Sequence, residues 1–206
     1  MGSDKARLPL DGWPTAVRLC ERLEAAGLQA ALVRRAPDGL PWMHPDGREV
    51  TVVREGDGPR HPLRGVLTAL EHAGEPALIV PCDLPALTVH TLAALAARGP
   101  CVAAGHPLVG VFPHDLERLR ALVASDAPAR AFGDGLPTVD LPPDELFDRN
   151  TPPDVLPLVR MLGRLEGIRG LDPRAALSGE ITRMRARGVV VPEAVLYALP
   201  RVEVDQ

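Results

Sequence analysis

Asp83 is the residue of this sequence best placed to do chemistry. It follows Leu78–Val80, a short apolar run that predicts a buried parallel strand, and Pro85 stops the turn two residues later. Ligands of open α/β sheets bind at the carboxyl ends of the strands, and Mg²⁺ usually takes one or two carboxylates plus substrate phosphates. The pattern therefore predicts a magnesium ligand at the sheet edge, or a cap for the helix that follows.

Three further polar residues could bind phosphates or a metal. Lys5 ends a run of small residues, the kind of loop that binds phosphates when it follows a strand; no strand precedes it here, and a solvated terminal lysine is the alternative. Asp148 and Asn150 lie on an extended segment ahead of a helix start at 151–152. They could bind a metal or a ligand, or bond to the turn's own backbone.

The loop at 56–65 is rich in glycine and proline and enters a predicted helix that contains Val66 and Leu70. Such a helix start can receive an anionic or polar ligand, although a plain connection explains the loop as well. Arg64 opposes the helix dipole, so it is either solvated or facing an anion. His106 could touch a ligand, but a lone histidine is more often structural.

The elements that must position these residues alternate between helices and strands, which predicts an α/β fold with a mostly parallel sheet. Helices are predicted at 14–26, from the loop at 56–65 onward, and at 89–97, 114–123 and 172–187; strands are predicted at 30–33, 49–53, 78–80, 101–104 and 139–141, and 106–112 is a further apolar segment.

Composition excludes several classes of protein. With 206 residues, 46% of them apolar, and a net charge of −4, the chain reads as a soluble globular domain with an appendage. The acidic balance and only six aromatic residues argue against nucleic acid as a partner, and no window has the ~18 apolar residues of a membrane span. Three widely spaced cysteines and no signal peptide predict a reduced cytoplasmic protein, and no metal beyond Mg²⁺ is implied.

Five motifs, taken in order, resemble those of the molybdenum cofactor guanylyltransferase family. They lie at 1–6, 61–65, 81–85, 106–108 and 148–152. The resemblance covers roughly residues 1 to 165, which we treat as a nucleotidyltransferase-like domain, and leaves 166–206 as a C-terminal helical appendage. It implies a three-layer α/β/α fold like that of nucleotide-diphospho-sugar transferases, with a mixed, mostly parallel sheet.

The resemblance also implies a reaction. In that family the terminal phosphate of molybdopterin attacks the α-phosphorus of GTP, giving the guanine dinucleotide cofactor and pyrophosphate. Lys5 matches the lysine that neutralises phosphate charge, and Asp83 matches the Mg²⁺ ligand. Asn150 matches an asparagine near the metal and the pterin, while Asp148 stands where many members have asparagine and is a second candidate ligand.

The nucleotide-binding positions follow from the same resemblance. Gly2 and Lys5 belong to the phosphate side. The segment 61–65 is similar to a Gly-Pro-Leu-Ala-Gly turn near the guanine site, and Asp57 or Glu55 would fill the acidic position before it. In that turn Pro62, Leu63 and Gly65 match the family, whereas His61 and Arg64 depart from it.

One departure concerns the start of the sequence. Family members begin with a strand and a Leu-Ala-Gly-Gly-x-Ser-x-Arg loop ahead of the Met-Gly-x-Asp-Lys stretch, and this sequence has neither. Loss of a central strand would leave unpaired backbone groups on two neighbours, each costing ~1–3 kcal/mol if buried. We therefore expect Met1 to be an internal methionine of a longer natural chain.

Two alternatives to guanylyl transfer follow. A module without catalysis would bind molybdopterin, a molybdoenzyme or a maturation protein, and a cytidylyltransferase would use the same chemistry with CTP. The basic helix predicted at 172–187 is either a solvated surface or a docking site for an anionic pterin or a partner enzyme.

Overall fold

The computed structural model describes residues 5–7, 9–10, 13–35, 41–142 and 145–146, with residues 5, 9 and 10 described as backbone only. Their strands are β1 (Pro9–Leu10), β2 (Trp13–Pro14), β3 (Leu32–Arg34), β4 (Val52–Arg54), β5 (Ala77–Ile79), β6 (Cys101–Ala103), β7 (His106–Phe112) and β8 (Thr138–Val139). The α-helices are α1 (Thr15–Ala25), α2 (Pro62–Ala73), α3 (Val89–Arg98) and α4 (Leu116–Ala124), and 3-10 turns span Lys5–Arg7 and Ala129–Phe132.

The strands of the described residues form three separate sheets. β1 and β2 make a short antiparallel pair, and β3 pairs in parallel with β4. A four-stranded sheet has the order β5-β7-β6-β8, in which only β6 and β8 are parallel. The antiparallel pairing of β6 with β7 follows from their two-residue connection, since parallel strands need a long crossover. The predicted α/β fold with a mixed sheet is confirmed, but the expectation that the strand before Asp83 is parallel is wrong, because β5 pairs antiparallel with β7.

Local signals set the helix ends close to the predicted ones. α2 has Pro62 at its first position and ends at Gly74, whose φ of 69° is the left-handed conformation that favours glycine. α3 is capped by Thr88 and α4 by Asp115, whose side chains accept backbone N–H bonds from Thr91 and Arg118. The four predicted helices within the described residues are therefore confirmed, while those that start at 151–152 and at 172 lie outside them.

Helices cover both faces of the four-stranded sheet. Alternate residues of β5 point to opposite sides: Leu78 packs with the cluster that contains Leu92 and Leu95 of α3, and Ile79 packs with the cluster that contains Leu70 of α2. α1 packs on α3 and α2 packs on α4. The result is the expected three-layer arrangement, and each fully buried leucine stabilises it by roughly 1.5–3 kcal/mol.

Gly110 marks the closest approach within the sheet. β6 shifts register between Val102 and Ala103, opposite this part of β7. A Cβ added at Gly110 would lie 2.2 Å from the Cys101 carbonyl oxygen and 2.9 Å from the Val102 Cα. Only glycine fits there without moving backbone.

Among the described residues, no helix has both the length and the apolar content needed to cross a membrane.

Candidate active site

Asp83 lies on the turn at the carboxyl end of β5, as the sequence predicts, although β5 is half-buried where a fully buried strand was expected. The strand ends at Ile79, and the Leu84 N–H donates to the Pro81 carbonyl oxygen at 3.4 Å across the turn that contains Asp83. Leu84 and Leu87 are buried in the core, whereas Asp83 itself is only half-buried. The core therefore anchors the turn, and the carboxylate lies at the edge of the sheet.

The alternative that Asp83 caps the next helix is wrong. α3 begins at Val89, and the Thr91 N–H donates to the Thr88 hydroxyl oxygen at 3.2 Å. Glu145 then holds the Thr88 backbone, because its Oε2 accepts from the Thr88 N–H at 2.8 Å. Asp83 lies five positions before this cap, so the helix start does not account for its carboxylate.

The loop at 56–65 is stabilised by the side chain of Arg64, which lies within it. Arg64 donates from Nη1 to the Asp57 carbonyl oxygen at 2.8 Å, and its guanidinium occupies the space beside Gly58. Arg64 is therefore a structural part of the loop, a role that neither of the two sequence readings anticipates. The Asp57 carboxylate is 94% exposed and 3.3 Å from Arg54, at the outer surface.

His61 and Leu63 both serve the packing of α2. The His61 Nδ1 accepts from the Leu63 N–H at 3.1 Å, while its Nε2 donates to the Ala127 carbonyl oxygen at 3.0 Å. The Leu63 side chain is 1% exposed and lies in the core, so only its backbone can reach a ligand. The departure from the family at His61 thus has a structural cause: the ring caps α2 and ties it to the segment after α4.

A groove of about 1140 Å³ connects the two halves of the candidate site. Pro62 and Gly65 line it at the start of α2, and Pro81 and Cys82 line it beside Asp83. The groove also runs between β3 and β5, which line it but share no hydrogen bonds in the described structure. The fold therefore brings the predicted guanine turn and the start of the turn that carries Asp83 to one groove, although Asp83 is not among the residues that line it.

The turn at Lys5–Arg7 lies in the same region. Ala6 is 1% exposed in a cluster with Leu32 of β3, and Cys82 packs against that cluster. Two guanidinium groups gather nearby that sequence analysis misses: the Cζ atoms of Arg7 and Arg34 lie 4.1 and 5.2 Å from the centre of the Trp42 ring. No local pattern could have signalled this contact, because it joins three separate segments.

The remaining predicted site residues are Gly2, Asp148 and Asn150, together with the Lys5 side chain, and they lie outside the described residues. Within the described ranges no group of three or more His, Cys, Asp or Glu could enclose a metal. The single carboxylate of Asp83 still fits Mg²⁺, which usually keeps several waters and needs few protein ligands. Burial raises the pKa of the Cys20 thiol to about 12, so this cysteine is no nucleophile at neutral pH.

A three-layer α/β fold with a carboxylate on the turn after a strand suits a protein that binds its ligand at the edge of the sheet where the strands end. Residues 1–138, more than half of the chain, match the family model described as MobA-like NTP transferase domain. The chain therefore belongs to the MobA-like NTP transferase family.

Two solved structures share the fold. The molybdopterin-guanine dinucleotide biosynthesis protein A of Archaeoglobus fulgidus is 15% identical, with a TM-score of 0.59 over 81% of this chain and 93% of its own. A protein of Aquifex aeolicus VF5 is 19% identical, with a TM-score of 0.54 over 66% of this chain and 79% of its own. No curated protein sequence matches the chain significantly.

Proposed function

We propose that this protein transfers GMP from GTP to molybdopterin with release of pyrophosphate. The supporting observation is the groove that joins the start of α2, at Pro62 and Gly65, to the turn that carries Asp83. Family membership supports the nucleotidyl transfer, and the name of the Archaeoglobus fulgidus protein suggests the acceptor.

The proposed chemistry is a single displacement at phosphorus. An oxygen of the terminal phosphate of molybdopterin forms a bond to the α-phosphorus of GTP, and the bond from that phosphorus to the α–β bridging oxygen breaks. Pyrophosphate leaves with the bridging oxygen and its electron pair, so no covalent enzyme intermediate is needed.

Charge and position are what the chain would contribute. Asp83 would hold Mg²⁺, with Asp148 as the predicted second ligand, and the bound ion would neutralise charge on the phosphates. Lys5 would face the phosphates, the backbone at Pro62–Gly65 would hold the guanine, and Asn150 would lie on the pterin side. Arg7 and Arg34 add positive charge close to the Lys5 turn.

The test is pyrophosphate release from GTP, molybdopterin and Mg²⁺ by the wild-type protein and by Asp83→Ala. We expect the variant to lose about 10²–10³-fold in kcat while keeping its unfolding midpoint, because an electrostatic group at the reacting centre is removed. Asp134→Ala is the matched control, since Asp134 is exposed and lies on the turn after the second 3-10 segment.

Activity retained in Asp83→Ala contradicts the metal role. Parallel assays with CTP decide the base, because the competing cytidylyl transfer shares every step. Binding of molybdopterin without pyrophosphate release from either nucleotide favours the binding module instead.

A further inference from the structure

We propose that Arg22 of α1 is the positioning residue for Asp83, which it holds by clamping the backbone of the turn after β5. This inference rests on the proposed function, since it assigns a residue to the metal side of the same site.

Arg22 reaches the turn across a long sequence separation. Its Nη1 donates to the carbonyl oxygen of Pro85 and, at 3.3 Å, to that of Leu87. The residue is 8% exposed, so its guanidinium is fixed among packed groups and does not sample water freely. A planar guanidinium with several donors can hold two carbonyls at once, which an ammonium on a flexible stem does less well.

The turn needs an outside donor. Pro81 and Pro85 have no N–H, and the described backbone bond within the turn is the one from Leu84 to Pro81, at 3.4 Å. Pro85 and Leu87 are buried, and a buried carbonyl without a donor costs about 1–3 kcal/mol. Arg22 supplies the donor to both carbonyls.

The same helix also holds the turn by apolar contact. Leu19, one turn before Arg22 on α1, belongs to the core cluster that contains Leu84 and Leu87. Asp83 precedes Leu84 directly, so the segment that carries it is attached to α1 by both side-chain packing and the guanidinium. A metal carboxylate must be held to within about 0.5 Å of its working position, and residues that orient ligands typically change metal affinity 10–100-fold when removed.

The experiment compares Arg22→Met, Arg22→Lys and Arg18→Met with the wild type. Arg18 is the control on the same helix, because its Nη1 bonds to Glu21 of α1 at 2.7 Å. The probe is Mn²⁺ as a substitute for Mg²⁺, titrated directly in the presence of GTP and followed by electron paramagnetic resonance. Hydrogen exchange of peptides covering 82–87 reports the turn itself.

We expect Arg22→Met to weaken Mn²⁺ binding about 10-fold or more, to speed exchange at 82–87, and to lower kcat with little change in the KM for GTP. The Mn²⁺ affinity of Arg22→Lys should lie between those of the wild type and Arg22→Met. Arg18→Met should bind Mn²⁺ within about twofold of the wild type. Urea denaturation of each variant confirms that folded protein is being compared.

A purely structural role predicts a different result. If Arg22→Met lowers the urea midpoint but leaves Mn²⁺ affinity and the exchange at 82–87 unchanged, the inference is wrong whether or not pyrophosphate is released. If Arg22→Met weakens Mn²⁺ binding and speeds exchange at 82–87 while no nucleotide is consumed, the role of Arg22 is supported and the proposed transfer is contradicted. If the wild-type protein binds no Mn²⁺, Asp83 is not a metal ligand, and the inference that Arg22 positions it for a metal is wrong.

Discussion

His61 allows the strongest prediction about stability, because each of its two ring nitrogens makes a different hydrogen bond and substitutions can remove one bond or both. Nδ1 caps α2 through the Leu63 N–H at 3.1 Å, and Nε2 holds the Ala127 carbonyl oxygen at 3.0 Å. Asparagine can replace the cap, since its short amide oxygen is a good N-cap acceptor, but it cannot extend to Ala127.

The two contacts give a worked difference between variants. A lost N-cap costs about 1 kcal/mol, and a lost hydrogen bond to a part-buried carbonyl costs about another 1 kcal/mol. We expect His61→Ala to lower the free energy of unfolding by about 2 kcal/mol and His61→Asn by about 1 kcal/mol. Asp115→Ala, which removes the exposed cap of α4, calibrates a cap loss alone at about 1 kcal/mol.

Urea denaturation measures these differences, and steady-state kinetics add a functional readout. Because Pro62 and Gly65 line the groove directly after His61, a frayed α2 start should raise the KM for GTP in His61→Ala more than in His61→Asn. Asp115→Ala should leave that KM unchanged. Equal losses in His61→Ala and His61→Asn would mean that the cap contributes nothing, and losses below about 0.5 kcal/mol in both would refute the structural role of the ring.

Two further predictions concern the rest of the fold. Gly110→Ala should destabilise by about 1–3 kcal/mol, whereas Gly133→Ala should cost less, because the nearest atom to its added Cβ is at 3.5 Å; equal losses would contradict the close approach. Burial raises the pKa of Cys20 from 9.0 to about 12, so the stability this thiol contributes is present below pH 9 and is lost as the pH rises toward 12. Cys20→Ala should flatten that part of the pH–stability curve, and an unchanged curve would count against the shift.

Local patterns carried most of what the sequence could predict. Pro62 and Gly74 mark the ends of α2, and the apolar run, the charge and the proline at 78–85 mark the end of β5, which Asp83 follows. Such signals depend only on residues a few positions apart, so long-range contacts do not change them. The sequence alone therefore predicts that Asp83 lies at the end of a strand.

The long-range contacts that hold the site could not be predicted from local sequence patterns. Arg22 meets carbonyls 63 and 65 residues further on, and no periodicity in α1 marks it as a buried residue. The sheet order β5-β7-β6-β8 likewise depends on which strand edges meet in space. His61 looked like a departure from a binding motif, and only its contact with Ala127 reveals a packing role.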